Sequence, residues 1–126
     1  VMELTHVVAA IIIKDDKYFI AKRPKGKHLE NFMEFPGGKI LPNETHEEGL
    51  KREIKEELDI EIDVKEKIGE ENFQDNVINA RIHYYICSQK SGTITLNEHQ
   101  ESFWVTKDEL KNFEFAEGDK DIISLL

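Results

Sequence analysis

The sequence predicts an α/β fold, a mixed β-sheet with helices on its faces, on three observations. Val7 to Ile13 is apolar at every position, as in a central strand covered on both sides. Val77 to Cys87 alternates, with Ile82, Tyr84 and Ile86 on one face and Arg81, His83 and Tyr85 on the other. Between these strands Leu50, Ile54 and Leu58 recur every fourth residue, the buried stripe of one amphipathic helix. Strands alternating with helices around such a helix bury their apolar faces in layers.

The remaining elements follow in order. Asp15-Asp16 reads as a turn and Tyr18 to Arg23 as the second arm of a hairpin. Pro24 to Asn31 is a basic, Gly-containing loop, and Phe35-Pro36-Gly37-Gly38 is a tight non-helical bend. Thr45 and Glu48 form a capping box, so a helix starts there and ends near Leu58. Ile60 to Val64, Thr93 to Leu96 and Phe103 to Val105 read as short strands. Lys107 to Lys111 and Asp119 to Leu126 read as short helices.

The 126 residues fit one domain, residues 1–126, with no repeat or low-complexity linker. A net charge of −9 disfavours DNA, long RNA and anionic membranes as partners. An acidic protein that handles phosphates needs cations to do so. The single Cys87 excludes an internal disulfide and a Cys-rich zinc site, and suits the reducing cytoplasm. The longest apolar run is too short to span a bilayer. No signal peptide is visible, and Val1 ahead of Met2 reads as a cloning remnant.

The chemistry concentrates in Arg52-Glu53-Ile54-Lys55-Glu56-Glu57. At about 100° per residue, Glu53, Glu56 and Glu57 border the buried stripe, with Glu48, Arg52 and Lys55 opposite. Three clustered acids repel one another. A hard cation reverses that sign, and carboxylates at this spacing suit Mg²⁺. The alternative is a salt-bridged surface helix, with Glu47–Lys51, Glu48–Arg52 and Arg52–Glu56 as i,i+4 pairs.

The wider pattern goes further. Gly38 is followed after five residues by Glu44 and, after seven more, by Arg52-Glu53-Ile54-Lys55-Glu56-Glu57-Leu58-Asp59-Ile60. This resembles the Nudix box of the Nudix hydrolases, matching eight of its nine defined positions over 23 residues. Asp59 departs from it, standing where the family has Gly; a left-handed helix end there costs about 1 kcal/mol and leaves the chemistry intact. Phe35 to Ile40, and Lys22-Arg23 through His28 and Asn31, resemble the MutT-like branch. Glu98-His99-Gln100 with Phe103-Trp104-Val105 resembles its cytidine triphosphate members.

The resemblance implies an α/β/α sandwich and a Mg²⁺-dependent (Mn²⁺ the alternative) nucleoside triphosphate pyrophosphohydrolase releasing monophosphate and pyrophosphate. By position it makes Glu53, Glu56, Glu57 and Glu98 metal ligands with a backbone carbonyl of Gly37 or Gly38, and has Arg52 orient Glu53. Glu53 and Glu98 are the two candidates for general base, and Glu101 competes with Glu98 as the distal acid. Arg23, Lys39 and Arg81 are the expected phosphate or sugar contacts, with Phe35 and Ile82 or Tyr84 as a nucleobase wall. Counting from Phe115, Asp119 falls where members specific for oxidised guanine carry Asn and cytidine-type members carry Asp. An ionised Asp only accepts hydrogen bonds, which favours the exocyclic amine of a cytosine-type base; the bland role for Asp119 is a helix cap. The expected partner is therefore a nucleoside triphosphate, handled by a monomer or homodimer. Other substrates of the family, 8-oxo-dGTP or a nucleotide sugar among them, and a catalytically silent nucleotide-binding module are the competing readings. His6, His28, His46, His83 and His99 show no metal-ligand spacing.

Overall fold

The computed structural model describes residues 2–126; Val1, and its reading as a cloning remnant, lies outside the described residues. Strand β1 (Leu4–Lys14) is the axis of a seven-stranded mixed sheet. Its apolar run has the predicted cause: both faces are covered. Val8, Ala10 and Ile12 pack with Leu50, Ile54 and Leu58 of helix α1 (His46–Leu58). Ala9 and Ile11 face the other way, onto Leu110, Phe115 and Ile122 of the C-terminal segments.

One edge of β1 pairs in parallel with β6 (Asn79–Ser91), from Leu4 opposite Asn79 to Ile12 opposite Cys87. Its other edge pairs antiparallel with β4 (Gly37–Lys39) at Val7–Ala9 and with β2 (Lys17–Lys22) at its end. β2 also pairs with β3 (Met33–Glu34) and β7 (Ser102–Val105), and β5 (Glu61–Gln74) pairs with β6. Asp15 and Asp16 take positive φ, 52° and 61°, as a two-residue hairpin turn between right-twisted strands requires.

The capping box of α1 is complete: Thr45 Oγ1 accepts the Glu48 N–H at 3.1 Å, and Glu48 Oε1 accepts the Thr45 N–H at 2.9 Å. The helix runs unbroken to Leu58, and Asp59 closes it at φ 59°, its N–H donating to the Lys55 carbonyl. Asp59→Gly is expected to stabilise the fold by about 1 kcal/mol, because Gly holds that conformation without a Cβ penalty. The exposed Lys55–Asp59 ion pair lost in exchange contributes little. Thermal melts check this; a lowered midpoint contradicts it.

Several elements differ from expectation. β5 extends to Gln74 instead of ending at Val64, because register shifts between Val64 and Gly69 break the alternation. Thr93–Leu96 is not a strand; its Thr95 N–H is spent on the Leu58 carbonyl at the end of α1. The segment read as a helix at Lys107–Lys111 is a 3-10 turn at Asp108–Asn112. The last helix, α2, begins earlier and is shorter (Glu117–Ile122), followed by a 3-10 turn, Ile123–Leu125. No helix among the described residues is long and apolar enough to cross a membrane.

Candidate active site

The third turn of α1 sits over β4. Glu57 adjoins the buried stripe and is 4% exposed, whereas the Glu56 side chain is 56% exposed and points outward. Glu53 lies between, against Gly38, where a Cβ would collide with its carboxylate. Gly37 is equally constrained, since a side chain there would run into the Val8 carbonyl.

Arg52 organises these acids. Its Nε and Nη2 fork onto Glu44 at 2.7 and 3.0 Å, and Nη1 donates to Glu53 Oε1 at 2.8 Å and Glu56 Oε2 at 3.3 Å. Nη2 also donates to the Lys39 carbonyl, tying the helix to β4. The guanidinium holds the Glu44 carboxyl down at about 2. Among the described residues no Lys or Arg pairs with Glu57. Burial, then the carboxylates of Glu53, Glu34 and Glu98, push it up to about 10. Its Oε1 is buried with no hydrogen-bond partner among the described residues.

Opposite stand Glu34 and His99. His99 Nε2 donates to Glu34 Oε2 at 2.7 Å and lies 3.8 Å from Glu57 Oε1. Arg23 Nη1 donates to the other Glu34 oxygen at 2.8 Å. Glu53, Glu57, Glu98, Gly37 and Arg23 line a cavity of about 160 Å³. Glu34, Glu57 and His99 also bring one ligand atom each within 4.8 Å of one another. Oxygen donors, an orphaned buried carboxylate oxygen and a glycine keeping the approach open fit a divalent cation.

Beyond the Arg23–Glu34 pair lies a second cavity, also about 160 Å³. Val7, Phe73, Ala80 and Ile82 make it apolar, and Asp119 closes its inner end. Asp119 Oδ2 accepts the Phe35 N–H at 3.1 Å, and Oδ1 accepts the Tyr84 hydroxyl. Burial pushes Asp119 up to about 7, against the opposing Tyr84 bond. At the mouth, His28 Nε2 meets Asp75 Oδ2 at 2.6 Å.

The structure thus brings Gly37, Glu53, Glu57, Glu98 and Arg23 to one cavity, Gly38 beside it and Asp119 to the next. Other candidates stand elsewhere. Glu56 stays on the outer side of the helix. The Lys39 side chain is exposed and lines neither cavity, while its carbonyl accepts from Arg52. Arg81 projects from the β6 face opposite Ile82 and donates to Asn72 Oδ1, so it cannot share the apolar cavity. Phe35 and Tyr84 are core, edge-on to each other with Phe35 stacked on Phe115, and Ile82 alone of the proposed wall lines the cavity. Asp119 does not cap α2, whose N-cap is Ala116. Glu34 and His99 escaped the sequence reading because they are 65 residues apart and carry no spacing signal. A larger open depression near Asp108–Asn112, about 760 Å³, shares none of the acidic-site residues.

Comparison with known proteins finds relatives along nearly the whole chain. Residues 4–126 match the family described as NUDIX domain. The chain is 33% identical over 118 residues to the CTP pyrophosphohydrolase of Escherichia coli K12, covering 94% of this chain and 87% of that protein. It is 32% identical over 122 residues to the 8-oxo-dGTP diphosphatase of Buchnera aphidicola, covering 97% and 92%. The crystal structure of a MutT protein from Methanosarcina mazei superposes with a TM-score of 0.89 over 98% of this chain and 92% of the other; at 22% identity that likeness is one of fold.

Proposed function

This chain belongs to the Nudix family, and we propose that it is a divalent-metal-dependent nucleoside triphosphate pyrophosphohydrolase. One observation carries the reading: an acidic cavity and an apolar cavity adjoin across the single ion pair Arg23–Glu34. That is the shape of a molecule with a polyphosphate at one end and a base at the other. Glu53, Glu57 and Glu98, with a Gly37 or Gly38 carbonyl and Glu56 from outside, would hold Mg²⁺ or Mn²⁺. Bound there, such ions neutralise the polyphosphate and acidify water.

The protein's own groups do the rest. Arg52 keeps Glu53 aimed inward. Water attacks an inner phosphorus, a new P–O bond forms and the bridging P–O bond breaks; the water's proton passes to Glu53 or Glu98. Arg23 contacts phosphate from the shared wall, and Asp119 accepts a hydrogen bond from the base. Product analysis on a nucleotide panel, with and without Mg²⁺, tests this. Monophosphate plus pyrophosphate is expected; release of inorganic phosphate or of a second nucleotide, or turnover in excess EDTA, excludes it. Cys87 is buried and free, as suits a reducing cytoplasm.

Ionised Asp119 selects a cytosine-type amine. A second reading, 8-oxo-dGTP hydrolysis, is favoured by the same carboxyl when protonated, because it then offers donor and acceptor together. With Asp119 at about 7, the kcat/KM ratio of CTP to 8-oxo-dGTP is expected to rise about tenfold from pH 6 to 8, the worth of one hydrogen bond. Asp119→Asn should flatten that ratio against pH; an unchanged slope removes Asp119 from base selection.

Glu57 supplies a stability test of metal binding. The folded metal-free protein keeps a proton that the unfolded chain releases above about pH 4.5. Folded-state proton excess means that stability falls as pH rises from 4.5 towards about 10. Melts in EDTA should therefore lose midpoint temperature between pH 6 and 9, and Mg²⁺ should restore more of it the higher the pH. A Mg²⁺ effect that is equal at both pH values contradicts this.

A further inference from the structure

Asn97 and His99 flank Glu98, and neither has a role in the reading above. The last carbonyls of any helix lack intrahelical donors. Here Asn97 supplies two: its Nδ2 donates to the Glu56 carbonyl at 2.9 Å and its N–H to the Glu57 carbonyl at 3.0 Å. Thr95 N–H adds the Leu58 carbonyl at 2.9 Å. The segment before Glu98 is therefore fastened to the helical turn that carries Glu56 and Glu57.

The segment after it is fastened on the other side. His99, with its side chain 2% exposed, donates to Glu34, which in turn holds Arg23. Gln100 N–H donates to the Lys22 carbonyl at 3.1 Å, and its Nε2 to the Arg23 carbonyl at 2.6 Å and Asn31 Oδ1 at 2.9 Å. Glu98 itself lies in no helix or strand. Its place over the acidic cavity is set by these two anchorages.

We infer that Asn97 and His99 are positioning residues, clamping the Glu98 loop between the end of α1 and the Arg23–Glu34 pair so that distal acid, helix acids and phosphate contact keep one register. This rests on the reading of Glu98 as a working acid of the site. Partners one step behind a ligand typically contribute 10–100-fold to affinity or rate, the range expected here.

The test uses the full chain with Asn97→Ala, His99→Ala, His99→Gln, Glu98→Gln and the double variant Asn97→Ala/Glu98→Gln. Each is followed by kcat, KM and Mn²⁺ titration in electron paramagnetic resonance, with thermal melts as the folding check. Asn97→Ala is expected to lower kcat at least tenfold with KM little changed and to weaken Mn²⁺ binding. The double variant should be no slower than Glu98→Gln, since nothing is left to position. His99→Gln, which keeps a donor near the Nε2 position, should recover most of what His99→Ala loses, and it serves if Asn97→Ala does not fold. Losses that multiply in the double variant, or Mn²⁺ binding untouched by either single change, overturn the inference. If Glu98→Gln leaves kcat and Mn²⁺ binding intact, the reading of Glu98 fails first, and the clamp with it.

Discussion

Glu53→Gln is expected to lower kcat by about 10³-fold or more, with the nucleotide KM moving far less. The change keeps shape and removes charge. It strips a carboxylate from the cavity shared with Glu57 and Glu98 and takes the counter-charge from Arg52 Nη1. The fold should survive, because the rest of the Arg52 fork, onto Glu44, is untouched. Glu98→Gln run beside it identifies the base. Whichever replacement abolishes the rise of rate with pH on the acidic side of the metal-saturated profile has removed the proton acceptor. A Glu53→Gln enzyme within threefold of the parent would end the assignment of this cavity as the reaction centre.

The adjacent glycines should separate by readout. Gly38→Ala is expected to lower kcat by about 10²-fold at nearly unchanged stability. The atoms nearest the added carbon are the far end of the Glu53 side chain, which swings away. Gly37→Ala meets the Val8 carbonyl and the Ala9 backbone of the central strand, which cannot move aside. Its cost falls on folding, about 1–3 kcal/mol, the usual scale for forced overpacking. Kinetics paired with thermal melts distinguish the two. Loss of stability in Gly38→Ala equal to that in Gly37→Ala would mean that the pair serves the sheet alone.

Local signals carried much of this site. The capping box, the Leu50–Ile54–Leu58 stripe and the acids beside it are spaced by one helical turn, so the sequence displays them directly, as it does the left-handed end at Asp59. The alternation of β6 also shows in the sequence that Arg81 and Ile82 face opposite ways and so cannot both meet one substrate. Contacts created only by tertiary packing were illegible. His99 reaches Glu34 across 65 positions, His28 reaches Asp75 across 47, and no periodicity links either pair. Thr93–Leu96 misled for a related reason. It is apolar at alternate positions like a strand, yet its Thr95 N–H is spent on the Leu58 carbonyl that ends α1. β5 misled through its register shifts, which hide a long strand behind a short stretch of regular alternation.

The parallel seam between β1 and β6 joins Leu4 to Asn79 and Ile12 to Cys87 and encloses α1 within the intervening chain. Pairings this distant form late, after the entropy of closing a long loop has been met. During refolding the hairpin of β1 and β2 can form early, and α1 brings its own acids together; Glu98 joins them only when its loop docks on the end of that helix. Newly made chains should therefore gain secondary structure before the full set of acids is assembled, and the interval between those events measures how slowly the loop carrying Glu98 docks.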